Sequence, residues 1–176
     1  MEFKDVVMAR RSVRKFSDRR VERGVIEELM RVVAKAPSSR NSHSTHFMVV
    51  TNPELLEKIS DMRDYGSAFV KSAPAAIVVM GDTQKTDLAE VNCAISTTLM
   101  QLAITDMGLS SCWVHVAGRA QKQAEPEGAK ADDYLREILP IPATSDILCV
   151  VAMGYSDFQP KPLPEYDIME SITYIE

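Results

Sequence analysis

Arg10, Arg11, Arg14 and Lys15 fall within one short run, RRSVRK, of a chain whose formal net charge is −5. Four cations held together repel one another, so the run implies an anion. In an extended backbone alternate side chains share a face, which would set Arg10, Ser12 and Arg14 on one side and Arg11, Val13 and Lys15 on the other. Two guanidiniums flanking a hydroxyl suit a phosphate, because Arg supplies paired planar donors and Ser a neutral one. Each such charge-assisted bond contributes about 1.5–3 kcal/mol. The alternative is a solvated basic helix end, where cations offset the helix dipole.

A second polar run, APSSRNSHSTHF (36–47), offers Ser38, Ser39, Asn41 and Ser42 together with backbone N–H groups. An amide such as Asn41 both donates and accepts, which suits the edge of a heterocycle with alternating C=O and N–H groups. Taken alone, the run also fits an ordinary polar turn. His43 and His46 lack an acidic or thiol companion, so no metal site is expected. Cys93, Cys112 and Cys149 are odd in number and form no CxxC pair, as reduced thiols would. Cys112, beside Trp113, has no cationic neighbour in sequence and reads as a buried thiol. Neither GxGxxG nor a Walker sequence occurs.

With 45% hydrophobic and 26% charged residues among 176, the chain can build one sizeable core. Its acidic balance argues against general nucleic-acid binding. No apolar run approaches a membrane span and MEFKD is not a signal peptide, so a soluble, cytoplasmic protein with no membrane partner is expected.

The elements that must position these residues follow from periodicity. Ile26, Leu29, Met30 and Val33 recur at helical spacing and predict a helix over 22–35, stopped before Pro37. Residues 45–51 read as a strand, and Asn52-Pro53 opens a helix through about Met62. The run AAIVVMG (75–81), with β-branched Ile77, Val78 and Val79 at its centre, predicts a strand covered on both faces. Asp87 and Glu90 resemble a capping pair opening a long helix that buries Leu88, Val91, Ile95, Leu99 and Leu102 and stops at Gly108. Strands over 110–118 and 147–154, a short helix near 132–138, a polar excursion over 119–130 and a Pro-rich arm from Tyr155 complete the chain. The expected class is α+β in a single domain over 1–154. The arm, 155–176, is expected on a second subunit, and 119–130 as a lid or surface loop.

RRSVR followed by PSSRNS, in this order and register, resembles the FMN-dependent nitroreductase family. The likeness continues through DMGLSSCWV and MGYSDFQPKP and covers about residues 1–162. It implies a mostly antiparallel sheet flanked by helices, in an intertwined homodimer with FMN at the interface. Arg10, Arg11, Ser12 and Arg14 would approach the phosphate and the pyrimidine side of the ring, with Pro37, Ser38, Ser39 and Asn41 coming from the other subunit. Trp113, Val114, His115 and Val116 would pass the flavin N5 edge, the His115 backbone N–H being the N5 donor, and Lys161 would help hold the phosphate. The implied reaction is ping-pong: NAD(P)H reduces the flavin, then a nitroaromatic, quinone or other small acceptor reoxidises it. No side chain is nominated as acid or base.

Departures from the family pattern are His43-Ser44-Thr45 where Gln-Pro-Trp is common, and Leu163 and Glu165 where further basic residues follow the lysine. Gly66, Ser67 and Phe69 stand where an amide or lysine often meets the ring, and Lys71 lies two places off register. Alternatives are reduction of another activated molecule such as a halogenated aromatic, a flavin-binding or sensory module with little turnover, or a docking patch for an acidic partner or nucleic acid.

Overall fold

A computed structural model describes residues 2–162, 164 and 166–176; Leu163 and Glu165 lie outside these. The helices are α1 (Phe3–Ala9), α2 (Arg23–Val33), α3 (Pro53–Ser60), α4 (Ala89–Asp106) and α5 (Ala131–Ile138). The strands are β1 (Thr45–Val50), β2 (Ala75–Asp82), β3 (Ser110–His115) and β4 (Ser145–Gly154). They form one sheet in the order β1-β2-β4-β3, and each neighbouring pair is antiparallel. This is the expected α+β architecture.

The continuous apolar runs of β2 and β4 take the centre of the sheet because both of their faces are covered. On one face α3, α5 and the 3-10 turn Ala68–Ser72 pack over Val78, Met80, Val150 and Ala152. On the other, α2 and α4 pack over Ile77, Val79, Val151 and Met153. Asn52 caps α3 as its sequence predicts, accepting from the Leu55 N–H at 3.1 Å, with Pro53 in the first turn. Gly81 lets α4 start close to the sheet, since a Cβ there would come within 2.8 Å of the Ala89 Cβ.

Two expectations need correction. Asp87 does not cap α4: the helix begins at Ala89, and the Thr86 hydroxyl instead accepts from the Leu88 N–H. More important, the buried face of α4 is rotated from the predicted stripe, of which Leu99 and Leu102 are half-buried. Leu88, Val91 and Ile95 are exposed, while Asn92, Cys93, Ser96, Thr97 and Met100 face the interior. In the first half of the helix the small and polar side chains face the sheet and find partners there, which leaves Val91 and Ile95 outside.

The third strand is shorter than expected, ending at His115 rather than 118. The register shift between Val79 and Met80 leaves Leu148 as an extra residue in β4, and its carbonyl accepts from both the Val116 and Ala117 N–H groups. That doubled bond draws the chain off the ladder. Beyond β4 the tail is tied down at its start, where the Ser17 N–H donates to the Tyr155 carbonyl and Ser156 Oγ to the Lys15 carbonyl, and its Pro162, Pro164, Tyr166 and Asp167 border a groove with Val7, Met8 and Arg11 of the same chain. Farther on, Tyr166, Ile168, Met169, Tyr174 and Ile175 are each more than half exposed. Among the described residues, no helix is long and apolar enough to cross a membrane.

Candidate functional site

The basic run follows α1 directly. Arg10 ends that helix, its N–H donating to the Val6 carbonyl. Arg11 turns back on the helix end, with Nη1 2.6 Å from the Met8 carbonyl and 2.8 Å from that of Arg10. For Arg11, then, the helix-end reading describes the geometry. Ser12 forms a parallel bridge beside Ser111, with the Val13 N–H 3.0 Å from the Ser111 carbonyl, and Val13 is buried.

Alternation then does what the sequence implies. Burial holds the Cys112 thiol above its ordinary value, while Arg14, the Ser12 hydroxyl and Arg10 pull the other way. Arg10, Ser12 and Arg14 thus all act on Cys112, and the Arg14 guanidinium lies 5.8 Å from the centre of the Phe69 ring. Among the described residues, none of these arginines is paired with a carboxylate, whereas Arg19, Arg23 and Arg136 are. Lys161 is exposed, three residues beyond Phe158, whose ring lies 5.2 Å from the Lys15 ammonium.

The edge of β3 is open next to this cluster. In an antiparallel ladder a residue directs its N–H and C=O to the same neighbour, and the next residue directs them away. Val116 donates to Leu148 in β4, so Val114 and Cys112 also face β4; Ser111, Trp113 and His115 face outward. Among the described residues, Ser111 alone is bridged there, to Ser12. The Trp113 and His115 N–H groups thus point to an unshared strand edge. Their side chains stack, with ring centres 6.3 Å apart and planes inclined by 23°. The His115 imidazole is held below its ordinary value by burial first and then by Arg119, so it is neutral at pH 7.

The second polar run lies at the opposite corner of the sheet. From Ser12 to β1 there are four steps of about 4.8 Å, and β2 must be followed for most of its length, so the two runs lie roughly 30 Å apart in one chain. Arg40, Asn41 and His43 all have positive φ, 50°, 54° and 45°. A buried residue that sequence reasoning missed holds this conformation. Asn92 of α4 is 1% exposed; its Oδ1 accepts from the Ser39 N–H at 2.9 Å, and its Nδ2 donates to Ser42 and Ser44 hydroxyls at 3.2 and 2.9 Å. The one sequence signal was a polar residue between Val91 and Cys93 in an otherwise apolar turn. Ser38 Oγ accepts from the His43 N–H. Pro37 is exposed, and so is Asn41, whose amide makes no hydrogen bond among the described residues.

The excursion after β3 is internally bonded. Ala120 bridges to Lys130, the Gln121 N–H donates to the Ala129 carbonyl, and Asp64 joins it from outside. The Asp64 N–H donates to the Gln121 carbonyl at 2.8 Å, and its Oδ1 accepts from the Gln123 N–H at 2.9 Å. Lys71 lines a separate groove with Arg20, Arg23 and Glu27, away from Phe69 and Arg14. Cys93, Cys112 and Cys149 are free and buried, and burial pushes the Cys93 thiol up to about 11 and Cys149 to about 12. No group of acidic, His and Cys residues suited to a metal ion occurs among the described residues.

Comparison with known proteins shows the family and the fold. The Nitroreductase family model matches residues 7–63 and 57–155. An Archaeoglobus fulgidus protein, provisionally named an NADH dehydrogenase/NAD(P)H nitroreductase, is 32% identical over 94% of this chain and 88% of its own length. A solved FMN-dependent nitroreductase from Clostridium difficile superimposes with a TM-score of 0.87 at 31% identity, covering 96% of each chain. A Parabacteroides distasonis structure, provisionally named like the archaeal protein, gives 0.87 at 27% identity over 99% of this chain and 98% of its own. The matched fold, the Arg-x-Ser-x-Arg run beside an open strand edge and the Pro-Ser-Ser-x-Asn loop together place this chain in the nitroreductase family, and it is an oxidoreductase.

Proposed function

We propose that the protein is an FMN-dependent NAD(P)H oxidoreductase that works as a homodimer and reduces nitroaromatics, quinones or similar small acceptors by a ping-pong cycle. One observation carries the reading: the outward N–H groups of Trp113 and His115 line an unshared strand edge next to Arg10, Ser12 and Arg14. That donor set fits the cofactor, because guanidiniums without carboxylate partners suit a phosphate and backbone donors suit the acceptor atoms of a flavin. When bound, FMN supplies the redox chemistry, reduction by NAD(P)H and reoxidation by the acceptor. Arg10, Ser12, Arg14 and Lys161 hold the phosphate, with Arg11 steadying the turn that presents them. The His115 N–H directs a donor at N5, flanked by Trp113, while Val114 and Val116 fix the strand on β4. The excursion 119–130 covers the acceptor side.

Pro37, Ser38, Ser39 and Asn41 complete the site from a second copy. The roughly 30 Å between the two polar runs within one chain supports this, since one flavin cannot contact both ends of that span. The outer stripe of α4 supports it too: Val91 is 51% exposed and Ile95 37%, more than an isolated helix face of that composition favours. The arm from Tyr155, with its exposed Tyr166, Ile168 and Met169, packs on the same partner. Ile95→Asp is expected to convert the dimer to monomer in sedimentation at micromolar protein and to lower FMN content with it. A dimer of unchanged strength would sink the interface assignment.

The direct test of the activity is spectral. Purified protein supplemented with FMN and freed of excess should be yellow, and NADH or NADPH under argon should bleach it within seconds. Adding an acceptor such as a quinone should restore the colour. A protein that takes up no FMN contradicts the reading at its root, and one that holds FMN without bleaching is a binding module and no enzyme.

A further inference from the structure

We propose that Arg63 and Arg119 form a second anion-recognising subsite at the far end of β3, selecting substrates that carry a carboxylate or phosphate group. This deepens the flavoenzyme reading and rests on it. The geometry begins with Asp64. Its two hydrogen bonds to Gln121 and Gln123 clamp the loop after α3 to the excursion after β3. Arg63 precedes the clamp by one residue. Arg119 lies two residues before Gln121 and one tight turn past β3, its N–H donating to the Val116 carbonyl at 2.9 Å. Both guanidinium-bearing residues are thereby brought to the strand end that carries His115, and both charges are felt at its imidazole.

Neither cation has a carboxylate partner among the described residues. The Arg63 guanidinium lies 4.7 Å from the centre of the Tyr65 ring, and its buried Nε–H has no acceptor. An arginine held flat against an aromatic ring keeps its outer donors oriented for a planar or tetrahedral anion. Among the described residues, Glu90 is a carboxylate whose charge acts on His115 in the opposite sense to the two arginines. The subsite is distinct from the phosphate cluster. Ser111, beside Ser12, and His115 are four residues apart along β3, about 13 Å, so one phosphate cannot engage both. The flavin phosphate is thus out of their reach, and the partner assigned to these two arginines is the charged group of a substrate that meets the flavin at the His115 edge.

Two sources can supply such a group: the phosphates of the reduced nicotinamide nucleotide, or a carboxylate on the acceptor. The test uses FMN-loaded wild type, Arg63→Gln and Arg119→Gln, each assayed for kcat/KM with matched charged and neutral substrates. NADH is compared with uncharged 1-benzyl-1,4-dihydronicotinamide, and 4-nitrobenzoate with 4-nitrobenzyl alcohol. Each substitution is expected to lower the charged-to-neutral ratio about 10- to 100-fold in at least one pair, and added salt should shrink that effect. Loss in the first pair assigns the nucleotide, loss in the second the acceptor carboxylate. A ratio unchanged in both pairs overturns the subsite, even if total activity falls. Arg119 is exposed, so its variant remains informative if Arg63→Gln folds poorly. Flavin absorbance, recorded before each assay, separates this failure from that of the parent reading: wild type without FMN removes both.

Discussion

Replacing Arg14 with Ala is expected to weaken FMN binding by about 10- to 100-fold, the loss of one charge-assisted bond of roughly 1.5–3 kcal/mol. The double variant Arg10→Ala/Arg14→Ala should lose more, with little flavin retained through gel filtration. Stability of the flavin-free protein should hardly change, by about 0.5 kcal/mol or less, because Arg14 is exposed and neither arginine is paired with a carboxylate among the described residues. Titrating apoprotein with FMN by fluorescence quenching and melting the same apoprotein measure the two quantities separately. An equal loss of both would show that these arginines hold the fold. Unchanged affinity would show that the phosphate lies elsewhere.

Asn92→Ala should have the larger effect on stability. It removes three hydrogen bonds at a buried point and leaves the Ser39 N–H without its acceptor. Losing such bonds and stranding a donor costs about 2–4 kcal/mol. The cost has a second part, because Arg40, Asn41 and His43 hold positive φ only while their surroundings enforce it. Released, the loop should relax and flavin affinity fall with it. Asn92→Asp should recover much of the loss, since serine hydroxyls can donate as readily as accept. Chemical denaturation reports the stability, and FMN titration the loop. An alanine variant with wild-type midpoint and wild-type affinity would mean that Asn92 does not govern the loop.

How much of this was legible depended on whether a residue's partner is near in sequence. The run 75–81 carries no charge and has Ile77, Val78 and Val79 at its centre, as suits a strand covered on both faces; β2 is such a strand. The cap at Asn52 is local chemistry and was readable for the same reason. The grouping of Arg10, Ser12 and Arg14 followed from alternation once the backbone was taken as extended. The face of α4 was misread because apolar periodicity shows which side avoids water without showing what covers it. Val91 and Ile95 look outward, and Asn92 and Ser96 look in. Asp64 carried no signal at all: its role comes from hydrogen bonds to Gln121 and Gln123, nearly sixty positions away. The same holds for the bulge at Leu148, which ends β3 three residues before the sequence suggests.

The diagonal separation of the two polar runs has a kinetic consequence. If each flavin cavity exists only where two copies meet, cofactor capture is second order in polypeptide when protein is scarce. Dilution should then release flavin on the timescale of subunit exchange, and freshly synthesised chains would stay colourless until they pair, however abundant the vitamin-derived ligand.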